Sequence, residues 1–116
     1  FPGAEELLGD FRPGVRYGCF SNTCEIHWQR LNAAHRLDEL FETRFLSFQM
    51  GAVKPDREAF EKVAKSLDAE PGRILFLEDN PVNVEGAAAA GFDVRLVRGV
   101  AESRALLAGL GLLKAA

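Results

Sequence analysis

The sequence predicts an α/β domain with a Rossmann-like, three-layer architecture: a mainly parallel sheet covered by helices on both faces. Short apolar runs alternate with segments of helical periodicity along all 116 residues. The run at 74–77 is apolar at every position and the run at 94–97 at every position except Arg95, a pattern typical of strands buried on both faces. A hydrophobic content of 47% with 27% charged residues fits one globular domain. We therefore expect a single α/β unit.

The charge balance and the cysteine content exclude several classes of protein. A formal net charge of -3 provides neither a basic surface for nucleic acid nor a polybasic patch for a membrane. Apolar runs stay well short of the roughly 20 residues that span a bilayer. Two cysteines, Cys19 and Cys24, are too few for a disulfide framework. These features predict a cytoplasmic protein without a nucleic-acid or membrane partner.

The first half of the chain contains two predicted strands. Turn residues at Pro13 and Gly14 end the first helix, and the polar residues after the first strand are suited to capping the next helix. The expected elements are a helix over 3–11, a strand over 15–20, a helix over 24–41 broken near His35, and a strand over 44–48.

The second half continues the alternation. Phe60, Val63, Ala64 and Leu67 form one apolar face of a helix that begins at Pro55. The remaining expected elements are a strand over 73–78, a helix from an Asn80 cap and Pro81 to Gly91, a strand over 94–98, and a terminal helix that includes 106–113. Four strands are expected in total.

Three polar clusters follow predicted strands or precede predicted helices. They are Ser21-Asn22-Thr23, Lys54, and Glu78-Asp79-Asn80. Ligands of open parallel sheets gather beyond the carboxyl ends of the strands. Amides at a helix start and a lysine favour an anion, and carboxylate oxygens suit Mg²⁺ together with phosphate. The clusters together predict a magnesium-assisted phosphate site.

Each cluster also has a simpler interpretation. A Ser-Asn-Thr turn is most often a helix cap, and a lysine before a proline is usually solvated. Paired acids at a strand end are rarer, because like charges repel at a buried edge. The order of the three clusters, each beside the same expected edge, favours the functional interpretation.

These segments resemble three motifs of the haloacid dehalogenase-like (HAD) hydrolases. "CFSNT" is similar to the second motif, "GAVKPD" to the third, and "LFLEDNPVNVEGAAAAG" to the paired-acid form of the fourth. The separations also suit the family, with 33 residues from Ser21 to Lys54 and 25 from Lys54 to Asp79. The resemblance runs from about residue 2 to residue 98 and is strongest for the phosphatase-like branch.

The resemblance implies a role for each matching residue. Ser21 binds the phosphoryl oxygens, with help from the amide or side chain of Asn22. Lys54 neutralises the nucleophile and the phosphoryl group, and Asp79 binds Mg²⁺. Glu78, where other members carry an acid or glycine, is expected to be a supporting residue of the site without a specified role. Asn83, where many relatives carry a second acid, is expected to orient metal-bound water or Lys54.

One family motif has no counterpart here. The first motif, DxDx[TV], supplies the nucleophilic aspartate, and no DxD occurs in these 116 residues. The helical cap that selects substrate is also missing, and the family's first strand lies centrally in the sheet. Residues 1–116 are therefore expected to form one partial HAD-like core domain, which begins without a methionine and is inactive alone.

Two functions from different classes follow. The first is a Mg²⁺-dependent phosphatase that acts on a small phosphorylated metabolite through a phospho-aspartate whose nucleophile lies outside this chain. The alternative is a non-catalytic, truncated α/β module that binds a partner or swaps elements to complete its sheet, as a homodimer or with a complementing segment. A receiver-like signalling domain is a weaker third option, because no acceptor aspartate ends a central strand.

Overall fold

The computed structural model describes residues 3–114 and has the predicted α/β architecture. The elements are α1 (Ala4–Gly9), β1 (Gly18–Ser21), α2 (Glu25–His35), α3 (Leu37–Leu40), β2 (Thr43–Leu46), α4 (Ser47–Met50), α5 (Arg57–Leu67), β3 (Leu75–Glu78), α6 (Pro81–Ala89), β4 (Asp93–Leu96) and α7 (Gly99–Gly109), with a 3-10 turn at Pro71–Arg73. The four expected strands are confirmed. Within this part of the chain, no helix has the length and apolarity required to cross a membrane.

The strands form two separate parallel pairs. In the first, β1 lies beside β2 with Ser21 opposite Leu46; in the second, β3 lies beside β4 with Glu78 opposite Leu96. Between residues 3 and 114, no strand joins the two pairs by hydrogen bonds. The phenyl rings of Phe20 and Phe76 nevertheless lie 5.7 Å apart. The sheet therefore lacks a central strand in this part of the chain, as the family resemblance implies.

The core is an aromatic cluster centred on α5. Phe60 is fully buried, and its ring contacts those of Phe20, Phe76 and Phe92 edge-on at 5.4–5.8 Å. Such edge-to-face pairs are favourable beyond the area they bury. The predicted apolar face of α5 is thus confirmed. It packs against strands of both pairs and holds them in one layer.

Some predicted boundaries are wrong. The strand over 44–48 ends at Leu46, because Ser47–Met50 forms a helical turn closed by the Gly51 amide on the Ser47 carbonyl. The helix expected from Pro55 begins at Arg57, after a cis Lys54–Pro55 peptide. The terminal helix occupies Gly99–Gly109 and so ends before the predicted range does.

Two residues, Asn80 before α6 and Gly86 within it, determine where this helix begins and how closely it packs. The Asn80 side chain accepts a hydrogen bond from the Val82 amide, so the predicted cap and the Pro81 start are confirmed. Gly86 allows a close approach, since a Cβ there would lie 2.6 Å from the carbonyl oxygen of Pro55. The helix α6 therefore packs directly against the loop that carries Lys54.

Candidate functional site

Lys54 bridges the gap between the two strand pairs. Its Nζ donates to the carbonyl oxygen of Phe20, on β1, at 3.0 Å and to Oε1 of Glu78, at the end of β3, at 2.9 Å. The Lys54 and Glu78 side chains are each only 9% exposed. A buried cation is stable only when it is paired and hydrogen-bonded, and this lysine satisfies both conditions.

Two aromatic rings also contact this cation. The Nζ of Lys54 lies 5.0 Å from the ring centroid of Phe20 and 5.4 Å from that of Phe76. Both distances are within the range of cation–π attraction, which strengthens where water is excluded. The rings and the Glu78 carboxylate together define where the positive charge lies.

Both oxygens of the Glu78 carboxylate accept hydrogen bonds from groups of the protein. Its Oε1 accepts from Lys54 and from the Asn83 side chain at 2.9 Å, and its Oε2 accepts from the amides of Asp79 at 2.8 Å and Asn80 at 3.2 Å. Burial alone raises the pKa of Glu78, but the hydrogen bond and charge of Lys54, with the other donors, lower this pKa to about 2. Glu78 is therefore an ionised partner of Lys54.

The loop after β1 is tied to the loop that carries Lys54. The Asn22 side chain donates to the carbonyl of Lys54 and accepts from its amide, both at 2.9 Å. This side chain is thus occupied in holding the backbone of Lys54. Neither the Ser21 hydroxyl nor the backbone amide of Asn22 donates to another of the residues between 3 and 114, which leaves both donors available to an anion.

Ser47 contacts the same loop from the other side. Its hydroxyl accepts from the Thr23 amide and donates to the Thr23 carbonyl, both at 2.8 Å. Ser47 is 8% exposed and directly follows Leu46, the residue opposite Ser21. Sequence reasoning missed it because the strand over 44–48 placed Ser47 inside the strand. A polar residue just past the carboxyl end of β2 was the signal.

Asp79 differs from Glu78 in its surroundings. Asp79 is exposed, and its backbone amide, not its side-chain carboxylate, contacts Glu78. Its hard oxygens suit Mg²⁺, which typically takes one or two carboxylates with water and phosphate. In the described part of the chain, no group of three or more His, Cys, Asp or Glu residues is arranged to hold a metal. Among these residues, the exposed Asp79 carboxylate can supply one oxygen ligand.

The structure brings five of the six predicted site residues into one connected group, whereas the Ser21 hydroxyl has no hydrogen bond to any of them. Asn22 contacts Lys54, Lys54 contacts Glu78, and Glu78 contacts Asn83 and the Asp79 amide. Phe20 and Phe76 were not predicted as site residues. An aromatic residue one or two positions before a polar strand end was the available signal, but it is equally typical of a core position.

The parallel α/β fold, the buried lysine and the free hydrogen-bond donors at one edge of the sheet define the general class: an α/β protein with a candidate anion-binding site. The family model for haloacid dehalogenase-like hydrolases matches residues 1–91, so the chain belongs to this hydrolase family. Similarity to solved structures agrees. An HAD family enzyme from Bacteroides thetaiotaomicron, solved with magnesium and inorganic phosphate, superposes with a TM-score of 0.71 at 25% identity, covering 81% of this chain and 51% of that one.

Curated relatives include phosphatases. The chain is 48% identical to an enolase-phosphatase E1 of Sulfurihydrogenibium over 46 residues, which cover 39% of this chain and 20% of the relative. It is 31% identical to a phosphoglycolate phosphatase of Cupriavidus necator over 99 residues, which cover 84% of this chain and 43% of the relative. The chain thus spans less than half the length of either relative.

Proposed function

We propose that the full protein is a Mg²⁺-dependent phosphatase that hydrolyses a small phosphorylated metabolite. The observation that carries this proposal is the placement of Lys54 Nζ across the gap between β1 and β3, beside the open donors of the Ser21 loop. A fixed cation and preorganised N–H and O–H donors stabilise the charge of a phosphoryl group in transfer.

The proposed chemistry uses an aspartate nucleophile from outside the described residues. Its carboxylate oxygen forms a bond to phosphorus while the bond to the leaving oxygen breaks, and an acid outside the described residues protonates that oxygen to give the alcohol. Water then hydrolyses the phospho-aspartate to inorganic phosphate and the free carboxylate. The role of Lys54 is to offset the negative charges of the carboxylate and the phosphoryl group. The role of the Ser21 hydroxyl and the Asn22 amide is to donate hydrogen bonds to the phosphoryl oxygens.

The proposed cofactor is Mg²⁺, held in part by the exposed Asp79 carboxylate. When bound, such an ion supplies positive charge to phosphoryl oxygens. Glu78 is excluded as a direct ligand in this proposal because Lys54, Asn83 and two amides occupy its oxygens. The magnesium complex of the Bacteroides thetaiotaomicron relative supports the assignment.

A panel of phosphate monoesters, including sugar phosphates and phosphoglycolate, tests the proposal on the full-length protein. Phosphate release is measured with Mg²⁺, with a chelator, and with Mg²⁺ restored. We expect hydrolysis of at least one ester that the chelator abolishes and Mg²⁺ restores. Failure to hydrolyse any ester of the panel in Mg²⁺ contradicts the proposal.

A second candidate function rests on the gap between the strand pairs. Because β1 and β3 each pair on one side only within residues 3–114, they can accept an added strand between them. A module that binds such a strand from a second copy or another segment is the non-catalytic alternative. Light scattering on residues 1–116 tests it: a dimer supports strand exchange, and a stable, well-folded monomer counts against it.

A further inference from the structure

We propose that Ser47 is a positioning residue for the phosphoryl-binding loop at Ser21 and Asn22. This inference rests on the proposed phosphatase function and adds a residue to that site. Within residues 3–114, no hydrogen bond joins the Ser47 side chain to Lys54, Glu78 or Asp79. It acts through the backbone of Thr23, which follows the two residues that offer donors to the anion.

A single hydroxyl fixes both polar groups of Thr23. The Ser47 Oγ lies 2.8 Å from the Thr23 nitrogen and 2.8 Å from the Thr23 oxygen, accepting from the first and donating to the second. A hydroxyl donates and accepts through a single oxygen, so one short side chain can bind both groups. The position of Ser47 is itself fixed, since Leu46 before it is 1% exposed and pairs with Ser21.

This contact decides which amide faces the ligand. The backbone amide of Thr23 already donates to the Ser47 hydroxyl, so it is not available to a phosphoryl oxygen. The next residue back is fixed independently, because the Asn22 side chain is bound to the Lys54 backbone. With two successive residues held, the Ser21 hydroxyl and the Asn22 amide have one orientation before the substrate arrives. Such preorganisation favours binding, because less freedom is lost when the ligand is bound.

The Ser47–Thr23 contact couples the segments that follow β2 and β1, and the separate Asn22–Lys54 contact adds the Lys54 loop. Ser47 follows β2, Thr23 follows β1, and the Lys54 loop precedes α5. A change at Ser47 is therefore expected to weaken phosphate binding more than it weakens the fold, because Asn22 is exposed and Thr23 only partly buried.

The test compares Ser47→Val and Ser47→Ala with Ser47→Thr in the full-length protein. Valine and threonine have nearly the same shape, and only threonine keeps the hydroxyl. The exposed Ser66, on α5, supplies the control Ser66→Ala. For each variant, kcat and KM for an ester hydrolysed by the wild type are measured, with the inhibition constant of inorganic phosphate. Circular dichroism reports whether each variant is folded. Hydrogen exchange of the Thr23 amide reports whether its hydrogen bond to residue 47 is kept.

We expect Ser47→Val and Ser47→Ala to raise the inhibition constant of phosphate roughly tenfold, as the loss of hydrogen bonds at this strength predicts. Hydrogen exchange of the Thr23 amide should accelerate in both variants. In Ser47→Thr and Ser66→Ala, the exchange rate and the inhibition constant should stay near the wild-type values. Unchanged phosphate inhibition in folded Ser47→Ala, or equal loss in Ser47→Thr and Ser47→Val, overturns the inference. A wild type that hydrolyses no ester overturns the proposed function as well, so the two failures are distinguishable.

Discussion

The Nζ of Lys54 lies 2.9 Å from Oε1 of Glu78, and both side chains are almost completely buried. This ion pair joins the loop before α5 to the carboxyl end of β3. The first acid of the Glu78-Asp79 pair therefore holds the cation of the site, and the second remains exposed for a ligand. Two adjacent carboxylates thus have different physical environments.

Replacing Glu78 by glutamine is expected to lower the unfolding free energy by about 3 kcal/mol, because it leaves a buried lysine without its counter-charge. Urea denaturation of the full-length protein at neutral pH measures the loss. The control is Glu85→Gln, an exposed position on α6, which should change stability by less than about 0.5 kcal/mol. Equal effects of the two substitutions would contradict the pairing.

The same ion pair predicts a pH dependence of stability. The folded pKa of Glu78 is about 2, below its ordinary value of 4.5, so the ionised group stabilises the fold above pH 4.5. That contribution is lost as the pH falls from 4.5 towards 2. The stability difference between wild type and Glu78→Gln should therefore shrink across this window in acid titrations of urea unfolding. A difference that stays constant from pH 6 to pH 2 would sink this explanation.

Replacing Asp79 by asparagine should affect the metal and not the fold. The residue is exposed, so we expect the unfolding free energy to change by less than about 0.5 kcal/mol. The Mg²⁺ concentration for half-maximal activity should rise roughly 10–100-fold, as it does when the surroundings of a metal ligand are altered. A Mg²⁺ titration of phosphate release measures it, with Asp68→Asn as the control. Wild-type Mg²⁺ dependence in Asp79→Asn would rule out the assignment.

Gly86 and Gly109 form a matched pair of helical glycines. A Cβ at Gly86 would meet Pro55 at 2.6–2.8 Å, whereas one at Gly109 meets nothing within 4 Å. We expect Gly86→Ala to cost about 1–3 kcal/mol through overpacking and to reduce activity by displacing the Lys54 loop. Gly109→Ala should be neutral or slightly stabilising. Thermal unfolding and phosphate release measure both, and a harmless Gly86→Ala would show that this packing does not position Lys54.

Much of the fold could be predicted from the sequence because local signals and burial agree. The apolar face of α5, the Asn80 cap and the four strands all follow from short-range patterns. The helical turn at Ser47–Met50 could not be predicted, because its residues "SFQM" alternate polar and apolar side chains, a pattern that also suits a strand. Its closure depends on the left-handed backbone of Gly51, with a φ of 69°.

The candidate site was predicted at the level of segments but not of contacts. Polar residues at strand ends indicated where Lys54, Glu78 and Asp79 meet. That Glu78 and not Asp79 binds the lysine depends on the pleat of β3, which directs alternate side chains to opposite faces. Nor could spacing show that the Asn22 side chain is bound to the Lys54 backbone, since that contact joins residues 32 positions apart.

The most direct test of the central claim is phosphate release by the full-length protein with Lys54 replaced by methionine, beside Lys65→Met as an exposed-lysine control. Saturating Mg²⁺ and one ester hydrolysed by the wild type are used for all three proteins, with circular dichroism to verify folding. If Lys54 supplies the charge that stabilises phosphoryl transfer, kcat/KM falls roughly 10²–10³-fold in Lys54→Met only. A folded Lys54→Met protein with wild-type kcat/KM would contradict the account.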